Sequence, residues 1–115
     1  MSKADLHQRL NKVSEITLSV KGRKSGRDIP RPVWFVNEHN TLYLLPNYGS
    51  DTNRYRNLLA NQTLKISVSD EEIPARGKPI TDSSRVRDVV SKFGSKYGDI
   101  RKYYPNPDVA VEVSL

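Results

Sequence analysis

The sequence has no cysteine, one tryptophan, one methionine, two phenylalanines and only two histidines. Each scarcity closes off a kind of chemistry. Without cysteine there is no disulfide, no thiolate nucleophile and no Cys-ligated metal. His7 and His39 have no second ligand at metal spacing; both are read as solvated, as unpaired histidines usually are, and no metal site is expected. No serine sits in a nucleophile elbow, and no Ser/His/acid triad can be picked out. Asp70, Glu72 and Asp82 fall at strand and helix ends, where carboxylates are solvated or capping. No apolar run approaches the ~20 residues that span a bilayer. The opening "MSKADLHQRL" lacks the apolar centre of a signal peptide, so a cytoplasmic protein with no membrane span is expected. Nothing here assembles a hydrolase, and no catalytic residue can be named. If the protein is an enzyme, a cofactor carries its reaction.

What the sequence does have is positive charge. In 115 residues there are 19 Lys and Arg against 13 Asp and Glu, a net +6, which favours an anionic partner. Five of the cations (Lys21, Arg23, Lys24, Arg27 and Arg31) crowd into "KGRKSGRDIPRP", residues 21–32, with two glycines and two prolines.

The apolar pattern is mostly of period two. "EITLSVKG" alternates, with Ile16, Leu18 and Val20 on one face; "TLKISVSD" repeats this with Leu64, Ile66 and Val68, and "VAVEVSL" with Val109, Val111 and Val113. Such runs predict half-buried strands. "RPVWFVNEHNTLYLLP" predicts a strand through Val36, a turn at Asn37–Asn40 and a strand through Leu45. "EEIPARGKPIT" predicts a weaker strand that Pro74 and Pro79 confine to an edge or bulge. Helices are predicted where the period changes. One carries Leu6, Leu10 and Val13 behind a Ser2 or Asp5 cap. A second carries Tyr55, Leu58 and Leu59 behind Ser50 or Asp51 and stops at Asn61. The third carries Val86, Val89, Val90, Phe93 and Tyr97 behind Asp82 or Ser83. No repeat, low-complexity tract or linker divides the chain, so residues 1–115 are read as a single domain. The fold class expected is mainly β (α+β), a small antiparallel barrel of about six strands with two or three helices.

The basic stretch joins the first strand to the second, and two readings of it stay open. It is either a solvated turn or an anion site, in which Gly22 and Gly26 take positive φ and turn N–H groups toward one point. Lys21, Arg23, Lys24, Arg27 and Arg31 would surround that point, with the Ser25 hydroxyl, in a donor set suited to phosphate or carboxylate. It is not a Walker loop, because the glycine spacing differs and no helix follows. Phe35 and Tyr43 are read as core anchors, as strand aromatics usually are.

"GRKSG" between two strands, then an apolar strand pair, a loop ending in glycine, "YRNLLAN" and the strand "LKISV" together resemble the deazaflavin (F420)-dependent nitroreductase family. That family belongs to the split β-barrel flavin and deazaflavin oxidoreductases, of the FMN-binding split-barrel type. The likeness runs from about Glu15 to Leu115. It implies that Gly22, Arg23, Lys24, Ser25 and Gly26 approach the cofactor's phosphate and acidic tail, with Arg31 beside them. It places Pro32, Val33 and Trp34 beside the isoalloxazine-like ring. It puts Pro46, Asn47, Tyr48 and Gly49 in the loop where small residues meet ring and phosphate, and matches Asn57 to the asparagine of the next helix. Tyr97 falls where relatives place an aromatic near the substrate. Three positions depart from the pattern. Ile29 stands where relatives often have arginine, "YGSDTNRYRN" lacks their Gly-Gly, proline and tryptophan, and Asn106 replaces an arginine.

The resemblance implies hydride transfer between F420 and a small organic acceptor, a nitro compound, quinone or enone. FMN, which shares the phosphate but lacks the polyglutamate tail, is the alternative cofactor. Two non-catalytic readings stand beside it, a cofactor carrier and a nucleic-acid-binding module. Against the latter, Arg54, Arg56, Arg85, Arg87, Arg101 and Lys102 are spread over helices with no aromatic-basic interleave, so no nucleic-acid partner is expected. Split barrels often dimerise across the cofactor site, which makes a homodimer a further expectation.

Overall fold

The computed structural model describes residues 8–24, 26–38, 41–68, 71–105 and 107–114. Ser2, Asp5, Leu6, His7, Ser25, His39, Asn40, Asp70 and Asn106 lie outside the described residues. Residues 8–10 are helical, and Leu10 there is fully buried with Val13 packed against the same core.

Among the described residues, seven strands form one curled, open antiparallel sheet, a half-barrel: β1 (Ile16–Lys21), β2 (Asp28–Val33), β3 (Val36–Glu38), β4 (Thr41–Leu44), β5 (Thr63–Val68), β6 (Glu71–Ile80) and β7 (Ala110–Ser114). The order across the sheet is β2-β1-β5-β6-β7-β4-β3. A single-turn 3-10 helix at Gly49–Asp51 leads into α1 (Asn53–Ala60), and α2 (Ser83–Tyr97) links β6 to the segment before β7. No helix among the described residues is long and apolar enough to cross a membrane.

The split-barrel class stands, with one strand more than expected. The basic turn ends earlier than its sequence suggests. β2 starts at Asp28 and pairs with β1 from Lys21↔Asp28 to Ile16↔Val33, leaving residues 22–27 as the hairpin loop. Pro30 and Pro32 hid this strand. They are two residues apart and so share one side of β2, the side away from β1, where no N–H is needed. β2 is an edge strand of the sheet, and the two prolines remove donors that would recruit a foreign strand. The chain leaves the ladder at Trp34 and Phe35, which separates β2 from β3.

β6 reconciles two prolines with a central position. Its first half, residues 71–76, pairs with β5, and its second half, residues 76–80, pairs with β7. Pro74 pairs only across to Lys65 and Pro79 only across to Val111, so each proline keeps one side out of the ladder. Gly77 lies at the joint, and a Cβ there would sit 2.8 Å from Leu58 Cδ1 and 2.9 Å from Leu64 Cδ2.

Both faces of the sheet are covered. The inner core gathers Ile16, Leu18, Val20, Phe35, Leu42, Leu44, Leu64, Ile66, Val68, Val109, Val111 and Val113, with Tyr55 and Leu58 of α1. The outer core packs Val86, Val89 and Phe93 of α2 against Val36, Leu45, Ile80, Ile100, Tyr104 and Ala110. Asp82 caps α2 by accepting from the Ser84 N–H, and Gly98 ends it at φ 85°. α1 departs from its expected pattern. Leu59 is 52% exposed and Asn57 turns inward; the N-cap is Thr52, while Ser50 and Asp51 belong to the 3-10 turn.

Candidate functional site

The β1–β2 loop is held in shape by its own backbone and by α1. The Gly22 N–H donates to the Arg27 carbonyl and the Gly26 N–H to the Gly22 carbonyl, both at 2.8 Å. Gly26 takes φ 69°, whereas Gly22 does not need a positive φ and is buried instead. Arg23 then reaches α1: its backbone N–H and its Nη1 both donate to Asn57 Oδ1, at 3.1 and 2.8 Å. Buried Asn57 therefore fixes the turn against the helix. Lys24 is exposed and has no carboxylate partner among the described residues.

The second wall is the loop before α1. Pro46 and Gly49 are buried, and Gly49 takes φ 60°. Asn47 and Tyr48 are exposed, Tyr48 at 65%. The Thr52 hydroxyl accepts from the Tyr48 N–H at 2.8 Å rather than capping α1. The first N–H groups of α1 thus carry no side-chain cap, and such groups favour an anion. Asp108 anchors the loop from the far side, accepting from the Ser50 N–H at 2.9 Å and the Ser50 hydroxyl at 2.7 Å. The hydroxyl bond is the main reason its carboxyl lies below the ordinary range.

The third wall is aromatic. Trp34 stacks on Tyr97 at 4.4 Å and 6°, with Tyr103 at 4.9 Å and Tyr104 at 6.3 Å tilted against it. Burial pushes the Tyr104 hydroxyl up to about 12.

These walls enclose adjoining compartments of one cleft. The first, about 360 Å³, is lined by Gly22, Arg23, Lys24, Ile29, Asn53 and Asn57. The second, about 480 Å³, shares Ile29, Asn53 and Asn57 and adds Arg31, Asn47, Tyr48, Thr52 and Arg54. The third, about 240 Å³, shares Asn47 and Arg54 and adds Glu15, Pro32, Val33, Trp34, Tyr103 and Tyr104. Volumes of this size suit a cofactor and a small molecule. A further interior cavity, lined partly by Pro46, Tyr55 and Leu58, has only about 40 Å³ and is too small for a ring system.

Cations predominate in the first two compartments, while Glu15 stands in the third. Arg54 donates to Asn47 Oδ1 at 3.1 Å. Burial first, and then the nearby Arg31 guanidinium, lower its affinity for its proton, and an anion placed between the two arginines would oppose that lowering by favouring the charged guanidinium. The one carboxylate of the middle compartment, Asp51, already pairs with Arg56 at 3.1 Å. Elsewhere, Arg85 pairs with Glu112 at 2.8 Å and Arg101 with Asp99 at 2.9 Å. Of the scattered cations, Arg56, Arg85 and Arg101 are thus each matched by a nearby carboxylate.

Of the residues named from sequence, the fold brings Gly22, Arg23, Lys24, Arg31, Pro32, Val33, Trp34, Asn47, Tyr48 and Asn57 around this cleft. Pro46 and Gly49 lie beneath its loop, Tyr97 stands behind Trp34, and Ser25 is outside the described residues. Glu15, Asn53, Arg54, Tyr103 and Tyr104 also line it and were not singled out for it. The signal for Asn53, Arg54, Tyr103 and Tyr104 is proximity in sequence to "YRNLLAN" and the basic "RKYYP"; Glu15 has none.

An open half-barrel with a cation-lined cleft beside its proline-bearing edge strand defines a protein of the split-barrel class. The chain belongs to the F420H(2)-dependent quinone reductase family, whose sequence profile matches residues 1–114. F420 is the cofactor that membership implies. Among solved structures, an F420-H2 dependent reductase superposes with TM-score 0.69 at 18% identity, over 88% of this chain and 94% of that one. A structure described as a domain-swapped dimer gives 0.71 at 18% identity, over 97% and 92%. The heme storage protein from Vibrio cholerae gives 0.74 at 16% identity, over 96% and 87%. At these identities the likeness is one of fold. A search of curated proteins finds no match.

The donor chemistry of the cleft fits the cofactor. Guanidinium groups and an uncapped helix start suit a phosphate, Lys24 and Arg23 suit an acidic tail, and the apolar and aromatic surface from Pro32 to Trp34 suits a flat ring.

Proposed function

We propose that the protein is an F420-dependent oxidoreductase that reduces a small, flat acceptor of the quinone class. The observation that carries this reading is the sharing of Arg54 between two compartments, one cationic and one walled by Trp34, Tyr103 and Tyr104. That arrangement gives the anionic part of a cofactor and the ring of an acceptor adjoining places. Bound F420 in its reduced form supplies a hydride from its ring. The protein's own work is binding and orientation. Arg31, Arg54 and the start of α1 hold the phosphate, and Arg23 and Lys24 hold the tail. Pro32, Val33 and Trp34 cover one ring face, and Tyr103 and Tyr104 bound the acceptor and keep water from it. No protein nucleophile is required, which agrees with the absence of a suitable one in the sequence.

The test is a titration of the intact protein with F420 and, separately, FMN, followed by absorbance and fluorescence. F420 binds in the micromolar range, and replacing both Arg31 and Arg54 by glutamine weakens it at least about tenfold, the cost of one lost charge-assisted contact. FMN loses a similar factor in that variant but little in Arg23→Ala/Lys24→Ala, because it has no acidic tail. No F420 binding at about 50 μM would remove the reading.

A further inference from the structure

We propose that Tyr97 is a positioning residue whose hydroxyl fixes Trp34, and with it the aromatic wall of the cleft, by replacing the sheet hydrogen bonds lost at the β2–β3 break.

The break leaves the backbone of Phe35 without a strand partner at a buried position, where an unpaired peptide group is costly. Two consecutive residues of α2 supply what is missing. The Tyr97 hydroxyl accepts from the Phe35 N–H at 3.0 Å. It lies 2.8 Å from two carbonyls, those of Phe35 and Ser14. A phenol has one proton to give, so both carbonyls are satisfied at once only if another donor serves one of them. Lys96 Nζ is that donor, 2.8 Å from the Phe35 carbonyl and 3.7 Å from the centre of the Phe35 ring. The Tyr97 proton is thereby free for Ser14. One hydroxyl so joins three chain segments: the residues before β1, the β2–β3 break and the end of α2.

The same ring is the platform for Trp34. The two rings are parallel within 6° at 4.4 Å, so the hydroxyl that holds the Phe35 backbone also sets the plane on which the preceding side chain rests. Tyr97 therefore acts through Trp34 rather than on a bound molecule. Burial raises the pKa of the hydroxyl, in keeping with a group that stays a neutral donor and acceptor.

The consequence for ligands rests on the functional reading above, but the positioning itself does not, and the experiment separates them. Trp34 is the only tryptophan, so its fluorescence in the protein without ligand reports this wall alone. Tyr97→Phe keeps the stacking ring and removes only the hydroxyl. We expect its Phe35 amide to exchange about tenfold faster than in the parent, as expected for a lost hydrogen bond, while the Ile66 amide in β5 is unchanged. We also expect Trp34 to be quenched about twofold more readily by acrylamide as the wall loosens. Lys96→Met, a milder change, shifts both readouts the same way by less. It also serves if Tyr97→Phe does not fold. If F420 binds the parent, Tyr97→Phe weakens F420 binding about fivefold with kcat at saturating cofactor nearly unchanged, the mark of lost uniform binding. Faster Phe35 exchange and greater quenching without F420 binding to either protein sustain the positioning role and reject the functional reading. Parent-like exchange and quenching in Tyr97→Phe and Lys96→Met overturn the proposal, as does a lowered melting temperature with both local readouts unmoved.

Discussion

Asn57 shows how a single side chain lining the cleft can also hold one of its walls in place. Its Oδ1 takes two hydrogen bonds from Arg23, one from the backbone and one from the guanidinium. Removing the acceptor and removing the donor side chain are therefore different experiments. Asn57→Ala strands the Arg23 N–H and is expected to cost about 1–3 kcal/mol in urea unfolding. Arg23→Ala keeps the backbone bond and is expected to cost roughly 0.5–1 kcal/mol. Equal losses in the two variants would mean that the backbone bond contributes nothing. Asp108 also holds a wall in place, and it titrates. The Ser50 hydroxyl, ahead of the Ser50 N–H, depresses its pKa in the folded protein. Its stabilising effect is accordingly present above the unfolded carboxylate value of ~3.9 and is lost as pH falls through the lower folded value. The group is exposed, so the effect is modest. Unfolding experiments at about pH 7 and about pH 2 should show Asp108→Asn less stable than the parent at the first and equal to it at the second. A gap of constant size would mean the Ser50 contact does not depend on the charge.

At the level of elements, the β6 joint and the last turn of α2 offer a matched pair of glycine substitutions. Gly77→Ala drives a methyl into Leu58 and Leu64, both within 3 Å of the new atom and both in the inner core. Overpacking of this kind costs about 1–3 kcal/mol. Gly94→Ala meets nothing within 4 Å on the helix and should stabilise by about 0.4–1 kcal/mol by restricting the unfolded chain. Thermal melts of the two variants should therefore move in opposite directions, and a fall in both would remove the packing argument for Gly77. The elements also differ in how plainly their sequences announce them. β1, β5 and β7 were legible because one face is apolar at every second residue, and α2 because its apolar stripe follows an Asp82 cap. β2 was not, since an edge strand with its donors removed by Pro30 and Pro32 and its face in solvent has the composition of a turn. The candidate cleft was half legible. The basic loop and the Pro32–Trp34 segment show in local sequence and family likeness. Arg54, Tyr103 and Tyr104 join them only because the sheet curls and brings the start of α1 and the segment after α2 to the same edge. No local pattern encodes that meeting.

For the whole molecule the decisive quantity is where its charge is left unmatched. The net charge is +6, but Arg56, Lys65, Arg85, Lys92 and Arg101 are each paired with a carboxylate. Among the described residues, Lys24, Arg31 and Arg54 form a group of positive charges without a carboxylate partner at the β1–β2 loop and the cleft, while Lys12, Arg76, Lys78, Arg87 and Lys102 are unmatched elsewhere on the surface. A field of that shape draws a polyanion toward the loop and is screened over a Debye length of about 8 Å at physiological salt. On the proposed reading the acidic tail of F420 would reach toward Lys24, beyond the phosphate, whereas FMN has no such tail. Raising salt from about 0.05 to about 0.5 M should then weaken F420 binding several-fold more than FMN binding, because the exposed tail contacts are screened first. In the Arg23→Ala/Lys24→Ala variant the two cofactors should show the same, shallower salt dependence. A phosphate contact to half-buried Arg54 would keep its directional hydrogen bonds as salt rises. Titrations at four or five salt concentrations measure these slopes directly. If F420 and FMN lose affinity in parallel with the parent protein, the loop cations do not hold the tail, and the cleft recognises the phosphate alone.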